Sequence, residues 1–209
     1  MSEPRIYKVK RFGYREEWRK DADTAMIDNF PWGHTMKDDY RPETKVYAAF
    51  DDESLFVYME TDEINVRFET KGIGKVHTDS CMEFFLMPAP ESSLKYLNWE
   101  FNPAGGMHLG IGTCRHDRTL GADENYRDLF QVKTNIYDKG WNLEYRVPLS
   151  YLKHFFPSMD FKPGRIMRGN FYKCGDETLR PHYGCWSPID LVKPDFHCPD
   201  YFGNLVLEG

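Results

Sequence analysis

Hydrophobic and polar side chains alternate in short segments along most of the chain. The clearest case is residues 141–147, where Trp141, Leu143, Tyr145 and Val147 are apolar and the residues between them are polar. Successive side chains of a β-strand point to opposite faces of a sheet, so a period of two predicts a strand with one buried face. We therefore expect this segment to be a strand within a sheet that has one buried face.

The same period recurs in segments separated by residues that favour turns. Polar or glycine-rich turns are predicted at 51–54, 102–106 and 138–140. Within 79–86 the even-numbered residues are expected on one face and the odd-numbered residues on the other. A short helix is predicted at 151–156, before Pro157. The other predicted strands are 45–50, 55–60, 79–86, 96–101, 107–113, 130–137, 165–173 and 203–208.

Many short strands with turns between them predict an all-β fold. We expect an antiparallel β-sandwich, of the jelly-roll or immunoglobulin-like two-sheet type, formed by residues 1–209 as one domain. The region 175–202 is rich in Pro, Gly, His and Asp and is predicted to be a long ordered C-terminal loop. Loops of this length in compact domains are often functional, which makes the region a candidate part of a binding site.

Composition and charge narrow the possible functions. The 209 residues include 13 Tyr, 15 Phe and 5 Trp, and this wealth of rings favours strands over a helical bundle. The net charge is −6, and no basic run offers the concentrated positive charge that a nucleic acid requires, so nucleic acid is excluded as a partner. No apolar stretch is long enough to span a membrane.

The chain start and the cysteines leave the cellular compartment open. The start, Met1-Ser2-Glu3-Pro4, has no apolar signal core, which is typical of a cytosolic protein. The five cysteines do not have the spacing of a small disulfide scaffold. His182, Cys185, His197 and Cys198 are candidate zinc ligands, but they lack the close pairs of structural zinc sites, so no metal or cofactor is predicted.

Four stretches, in this order, resemble the family 9-like carbohydrate-binding modules, which share a β-sandwich with the DOMON-like group. The first is 47–62, a strand, an acidic turn and a strand that ends in acid. The second is 79–86, and the third is 99–105 with 140–144 after it. The fourth is the C-terminal block of 170–174, 186–188 and 197–203.

The resemblance implies binding of a sugar, typically a chain end, without chemistry. In such modules two aromatic rings enclose a sugar ring while polar side chains bind its hydroxyl groups. Trp186 matches the second ring, Glu83 the acidic residue and Arg115 the guanidinium, and His77 stands where the first ring is expected. The resemblance also implies a secreted protein, extracellular or periplasmic, that associates with glycan-degrading enzymes. Structural calcium is not carried over, because no stretch has a calcium-loop spacing.

Each candidate residue has a plainer alternative. Trp186 lies in a loop, where its ring is either a platform for a sugar or a plug for one end of the sandwich. Glu83 and Asn98 form either the polar floor of a site or a solvated strand face. Tyr183 is predicted at the rim of the site. Trp99 and Trp141 are assigned to the core, and a second polar cluster on one strand face contains Arg168, Asn170 and Tyr172.

Three other functions compete with carbohydrate binding. A jelly-roll glycoside hydrolase needs two carboxylates about 5–9 Å apart across a cleft, and Glu83, Glu100 and Glu144 are the strand carboxylates available. A haem-binding DOMON-like domain needs a Met and a His as axial ligands. An interaction domain without sugar binding is the third. No hydrolase signature surrounds the three glutamates, which favours a non-catalytic module.

Overall fold

The computed structural model describes residues 4–12 and 18–209, and these residues are dominated by β-strands. The two α-helices within these ranges are short: α1 is Tyr126–Phe130 and α2 is Leu149–Phe155. None of the helices in the described ranges is long and apolar enough to cross a membrane. The strands are β1 (Ile6–Arg11), β2 (Ala25–Met26), β3 (Thr44–Phe50), β4 (Ser54–Thr61), β5 (Cys81–Met87), β6 (Tyr96–Phe101), β7 (Met107–Gly112), β8 (Arg118–Leu120), β9 (Lys133–Tyr137), β10 (Gly140–Pro148), β11 (Ile166–Cys174), β12 (Tyr183–Cys185) and β13 (Gly203–Glu208).

The strands form one continuous mixed sheet. Its order is β8-β7-β6-β5-β11-β13-β1-β3-β4-β10-β9, with β12 paired to β11 and β2 paired to β3. Strand β1 runs parallel to both β13 and β3, and the other pairings are antiparallel. The prediction of an all-β fold is confirmed, whereas the prediction of a purely antiparallel arrangement is wrong at β1, whose two neighbours come from distant parts of the chain.

The main apolar core lies between distant strands of this sheet. Phe101 of β6 contacts Tyr145 of β10, seven strands away in the sheet order, with ring centroids 4.8 Å apart. Tyr7 of β1 meets Phe171 of β11, two strands away, at 5.9 Å. Trp99 and Trp141 are fully buried in the same cluster, as predicted. Burial of large rings contributes much of the stability of such a core, because each ring removes a large apolar area from water.

Several elements differ from the predictions. Phe130 ends helix α1 instead of starting a strand, so β9 begins three residues later. The predicted helix near residue 151 is confirmed, although it begins at Leu149. The region 175–202, here called the C-terminal segment, contains strand β12 and the 3₁₀ turn Pro199–Tyr201 and is therefore not a continuous loop. Strands β1, β2 and β8 were not predicted.

The turn between β6 and β7 forms where the sequence predicted it. Gly105 has a φ of +70°, a left-handed conformation that glycine adopts without steric cost. Asn102 closes the turn, because its Oδ1 accepts hydrogen bonds from the backbone N–H of Ala104 at 3.1 Å and of Gly106 at 2.8 Å. This turn fixes the register that brings Glu100 of β6 opposite His108 of β7.

A buried ion pair joins β11 to the segment that follows β4. Lys173 Nζ lies 2.8 Å from Glu63 Oε2, and both side chains are almost completely buried. The ammonium also donates to Nε2 of His182 at 2.9 Å. Ser80 Oγ and Trp141 Nε1 donate to the two carboxylate oxygens of Glu63, at 2.9 and 3.2 Å.

The partners of this pair fix its charge state. Burial alone would raise the pKa of Glu63, but the charge of Lys173 and the hydrogen bonds that Glu63 accepts from Lys173 and Ser80 lower it below its ordinary value. Burial and the charge of Lys173 lower the pKa of His182 to about 3, so its imidazole is neutral and accepts from the ammonium. Glu63, Lys173 and His182 thereby join the segment after β4, strand β11 and the C-terminal segment.

Replacing Lys173 by Met should destabilise the fold strongly. The substitution leaves the Glu63 carboxylate buried without its ammonium partner, which typically costs about 3–5 kcal/mol. Chemical denaturation of Lys173→Met and the wild type measures this difference in the free energy of unfolding.

Lys133→Met is the matched control for that measurement. Lys133 is 74% exposed and lies 3.5 Å from Glu144, and exposed ion pairs of this kind contribute less than about 1 kcal/mol. Equal losses in the two variants would contradict the view that the Lys173 pair anchors the fold.

Candidate functional site

A cleft of about 540 Å³ opens over the outer face of β5, β6 and β11. The side chains of these strands point alternately to the two faces of the sheet, and those on the outer face form the floor of the cleft. In β5, Met82, Phe84 and Leu86 share one face, as predicted, and this face enters the main core, while Glu83 and Phe85 point the other way and line the cleft. Glu100 of β6 and Cys174 of β11 line it beside them.

Two carboxyl groups lie side by side in this floor. Glu83 and Glu100 occupy directly opposed positions on neighbouring strands, and they are only 3% and 5% exposed. Cys174 Sγ donates to Glu83 Oε1 at 3.0 Å, and Asn98 Nδ2 donates to Glu100 Oε1 at 2.6 Å. Burial, and then the charge of Glu100, raises the pKa of Glu83 well above its ordinary value, and burial raises the pKa of Glu100 to about 7.

Arginine side chains form the wall beside these carboxyl groups. Arg118 donates to Asn98 Oδ1 and to the carbonyl of Gly110 at 2.9 Å, and its guanidinium lies 4.2 Å from the centre of the Tyr96 ring. Arg115 is about half exposed and pairs with Asp195 at 2.6 Å. Arg118 therefore fixes Asn98, which in turn orients Glu100, while Arg115 remains accessible from solvent.

The C-terminal segment supplies the opposite wall. Phe196 stacks on Tyr172 with ring centroids 4.1 Å apart, and Tyr172 Oη donates to the Phe196 carbonyl at 3.1 Å. His197 Nδ1 shares a 2.8 Å hydrogen bond with the hydroxyl of Tyr96. Burial, then the charges of Arg115 and Arg118, lowers the pKa of His197 to about 3, so this imidazole is neutral.

Four of the six predicted binding residues meet in this cleft. His77, Glu83, Arg115 and Tyr183 all line it, although they come from three separate parts of the chain. Asn98 lies one layer behind, fully buried, where it contacts Glu100 and Arg118 instead of the open space. The solvated-face interpretation of Glu83 and Asn98 is wrong, because both side chains are buried.

Trp186 lies in the core and not at the cleft. It is 4% exposed, its ring meets Tyr7 and Phe171 at centroid distances of 6.3 and 5.6 Å, and it packs closely against Gly203. Of the two interpretations of this residue, the structure matches the packing one. Its ring is not positioned to stack on a ligand in this cleft.

The second predicted polar cluster holds the C-terminal segment against β11. Asn170 is completely buried, and its side chain bonds the carbonyl and the N–H of Ser187 at 2.9 and 2.8 Å. Arg168 donates to the carbonyl of Phe202 at 2.9 Å. Together with the hydrogen bond from the Tyr172 hydroxyl to the Phe196 carbonyl, these bonds fix the wall of the cleft. The cluster therefore holds the wall in place, but its residues do not line the cleft.

Sequence reasoning missed several lining residues. Arg118, Asp195 and Phe196 were not predicted, and Glu100 and His197 were considered only for other functions. The predicted importance of the region 175–202 was the one signal that pointed to Asp195 and Phe196. Arg118 carries no comparable signal, because a lone arginine after a turn is normally solvated.

The four zinc candidates do not cluster in the structure. In the described residues, the group of potential ligands that meets is Cys81, Glu83 and Cys174, all buried. His182 instead binds Lys173, and the five cysteine thiols are free.

Trp186→Ala should reduce stability far more than it affects the cleft. Truncating a buried ring to Ala typically costs about 3–5 kcal/mol. Trp18→Ala serves as the control, because Trp18 is only half buried and touches Phe56 at a centroid distance of 6.2 Å. Thermal and urea unfolding should show the larger loss for Trp186, and equal losses would contradict its placement in the core.

Glu100→Gln should alter the pH dependence of stability. Because the folded protein holds the Glu100 proton more tightly than the unfolded chain, wild-type stability falls as the pH rises from about 4.5 to about 7. Gln mimics the neutral acid, so the variant should gain about 2–4 kcal/mol relative to the wild type between pH 5 and pH 8.

Glu144→Gln is the control for the pH measurement, because Glu144 is substantially exposed on β10. Its difference from the wild type should stay flat over the same pH range. A Glu100→Gln curve parallel to the wild-type curve would show that Glu100 is ionised throughout.

Comparisons with known proteins agree on one family. The model for carbohydrate-binding family 9 matches residues 18–207. A Bacteroides uniformis protein to which carbohydrate binding is ascribed shares 27% identity over 99% of this chain and 100% of its own, with a TM-score of 0.82. No relative among curated proteins matches the sequence.

Two solved structures of one carbohydrate-binding module share the fold. They are family 9 modules from Caldicellulosiruptor kristjanssonii in complex with cellotriose and with glucose. Each is 16% identical to this chain with a TM-score of 0.67, and the matches cover 98% of this chain and 94% and 96% of those chains.

Proposed function

The chain belongs to carbohydrate-binding family 9, and from this premise we propose that the cleft over β5, β6 and β11 binds the end of a sugar chain. The observation that carries this proposal is the convergence of His77, Glu83, Arg115 and Tyr183 on one cleft. The ligand is a carbohydrate, as the family implies. The position of its site and the residues that bind it are the parts proposed here.

The polar groups of the cleft suit a ligand rich in hydroxyl groups. A neutral carboxyl group both donates and accepts a hydrogen bond, and a guanidinium offers several donors in a plane. Glu83 and Glu100 supply the first kind of group, and Arg115 supplies the second. A hydrogen bond to a neutral carboxyl group contributes about 0.5–1.5 kcal/mol and one to the Arg115 guanidinium about 1.5–3 kcal/mol, so a few such bonds support weak binding, in about the millimolar range.

Tyr183 is the proposed stacking ring. It is half buried at the cleft, where Trp32 and Phe196 contact it edge-on at centroid distances of 6.4 and 6.2 Å. These contacts from two sides fix the orientation of the ring before a ligand binds. A pre-oriented ring loses little entropy on binding, and an aromatic ring contributes roughly 1 kcal/mol beyond burial.

We propose that the module performs no chemistry on the sugar. A glycoside hydrolase needs an ionised carboxylate that acts as nucleophile or base, together with a protonated acid across the scissile bond. Glu83 and Glu100 lie side by side on the floor instead, and the pKa of each is raised. If no new reducing ends form when the protein is incubated with cellotriose, that result would support the absence of catalysis. We expect the module to associate with enzymes that degrade glycans.

The arrangement of the sheet is proposed as a two-layer jelly-roll sandwich that forms one module. The contact of Phe101 with Tyr145 supports it, because it joins β6 and β10, which are separated by six other strands in the sheet order. The cleft lies outside this core, on the solvent side of the β5, β6 and β11 layer.

Tyr183→Ala should lower the affinity for the sugar at least about tenfold, because it removes the stacking surface and its burial. Cellotriose and glucose are the first probes, followed by a glycan array, and calorimetry on the intact protein measures the affinity. The matched control is Tyr137→Ala, since Tyr137 is an exposed tyrosine on β9, a strand that does not line the cleft. Equal affinities of all three proteins for a bound glycan would contradict the proposed site.

A further inference from the structure

Two thiols and one carboxyl group converge at the floor of the cleft. Cys81 of β5 and Cys174 of β11 are directly opposed in the strand register. With Glu83, their potential ligand atoms all lie within 4.8 Å of one another, and all three residues are buried. Cys174 and Glu83 are 91 positions apart in the chain and already in contact at 3.0 Å.

The spacing of these atoms is close to that of a tetrahedral zinc site. Zinc binds thiolates at about 2.3 Å and carboxylates at about 2.0–2.2 Å, which places two thiolates on one ion about 3.8 Å apart. Two sulfur ligands and one oxygen favour a thiophilic divalent cation over calcium or magnesium, which prefer oxygen alone. All three ligands come from paired strands, so the backbone already holds their relative positions.

The cleft gives such a cation a path and a free coordination position. Glu83 and Cys174 line the open space, whereas Cys81 lies behind them. Three protein ligands leave the fourth position of a tetrahedral ion directed toward the cleft, the arrangement of an open zinc site. Arg115 and Arg118 stand in the same cleft, where their charge would offset the net negative charge of a dication with two thiolates and a carboxylate.

We propose that Cys81, Cys174 and Glu83 form a binding site for a thiophilic divalent cation of the zinc class, with its open coordination position facing the cleft. Binding displaces the proton of each thiol to solvent, together with the carboxyl proton when Glu83 carries one, and no electron is transferred. The metal site shares Glu83 with the proposed sugar site, but it does not depend on a bound sugar, because the metal is held entirely by side chains of the protein.

Cobalt titration of the chelator-treated protein tests this site without any sugar. We expect one equivalent of Co²⁺ to bind with a thiolate-to-cobalt charge-transfer band, and one equivalent of Zn²⁺ to displace it. The Cys81→Ser/Cys174→Ser double variant should lose the band, and Glu83→Gln should weaken binding at least about tenfold. Should the double variant not fold, each single Cys→Ser variant should retain at most a weaker band with a lower affinity.

Cys114→Ser/Cys198→Ser is the matched control, since these two thiols lie outside the cluster and are more exposed. It should bind cobalt as the wild type does. Absence of the band in the wild type would overturn the proposal, as would an unchanged band in the variants at Cys81 and Cys174 or its loss in the control. Since no sugar is present, failure here would leave the carbohydrate proposal standing, and failure to bind sugar would leave this one standing.

Discussion

Strands β5, β6 and β11 are buried on both faces, and the alternation of their side chains determines most of what the protein presents to a ligand. One face carries Phe84, Trp99 and Phe171 into the main core, and the other carries Glu83 and Glu100 to the floor of the cleft. Since a shift in register by one residue would exchange the two faces, the packing of the aromatic core also places the polar floor. Core and site are therefore specified by the same pairing of strands.

The C-terminal segment converts this polar sheet face into a cleft. Buried polar groups are stable only when they are hydrogen-bonded, and Asn170 is satisfied by Ser187 of that segment while His182 of the segment is one of the partners of Lys173. Hydrogen bonds from Tyr172 to the Phe196 carbonyl and between Tyr96 and His197 hold Phe196 and His197 over the floor, where the carboxyl groups lose contact with water. Their raised pKa values follow from this enclosure, so the electrostatics of the site depend on how the segment is anchored.

The sequence predicted the strands with the clearest period and much less of the site. Trp141 to Val147 alternates almost perfectly, and β10 lies where the pattern placed it. Strand β1 alternates too, through Tyr7 and Val9, but its parallel partners are distant in sequence and no local signal identifies them. Trp186 shows the limit of loop patterns, because a loop tryptophan can face a ligand or the core. The contact between Cys174 and Glu83, 91 positions apart, exists only through pairing of β5 with β11.

A crystal structure of the protein soaked with cellotriose would test the central claim most directly. The account predicts sugar density in the cleft, with hydroxyl groups bonded to Glu83 and Arg115 and a ring against Tyr183. Density at any other surface, with the cleft left empty, would contradict it and would reduce the buried carboxyl pair to a feature of the fold alone.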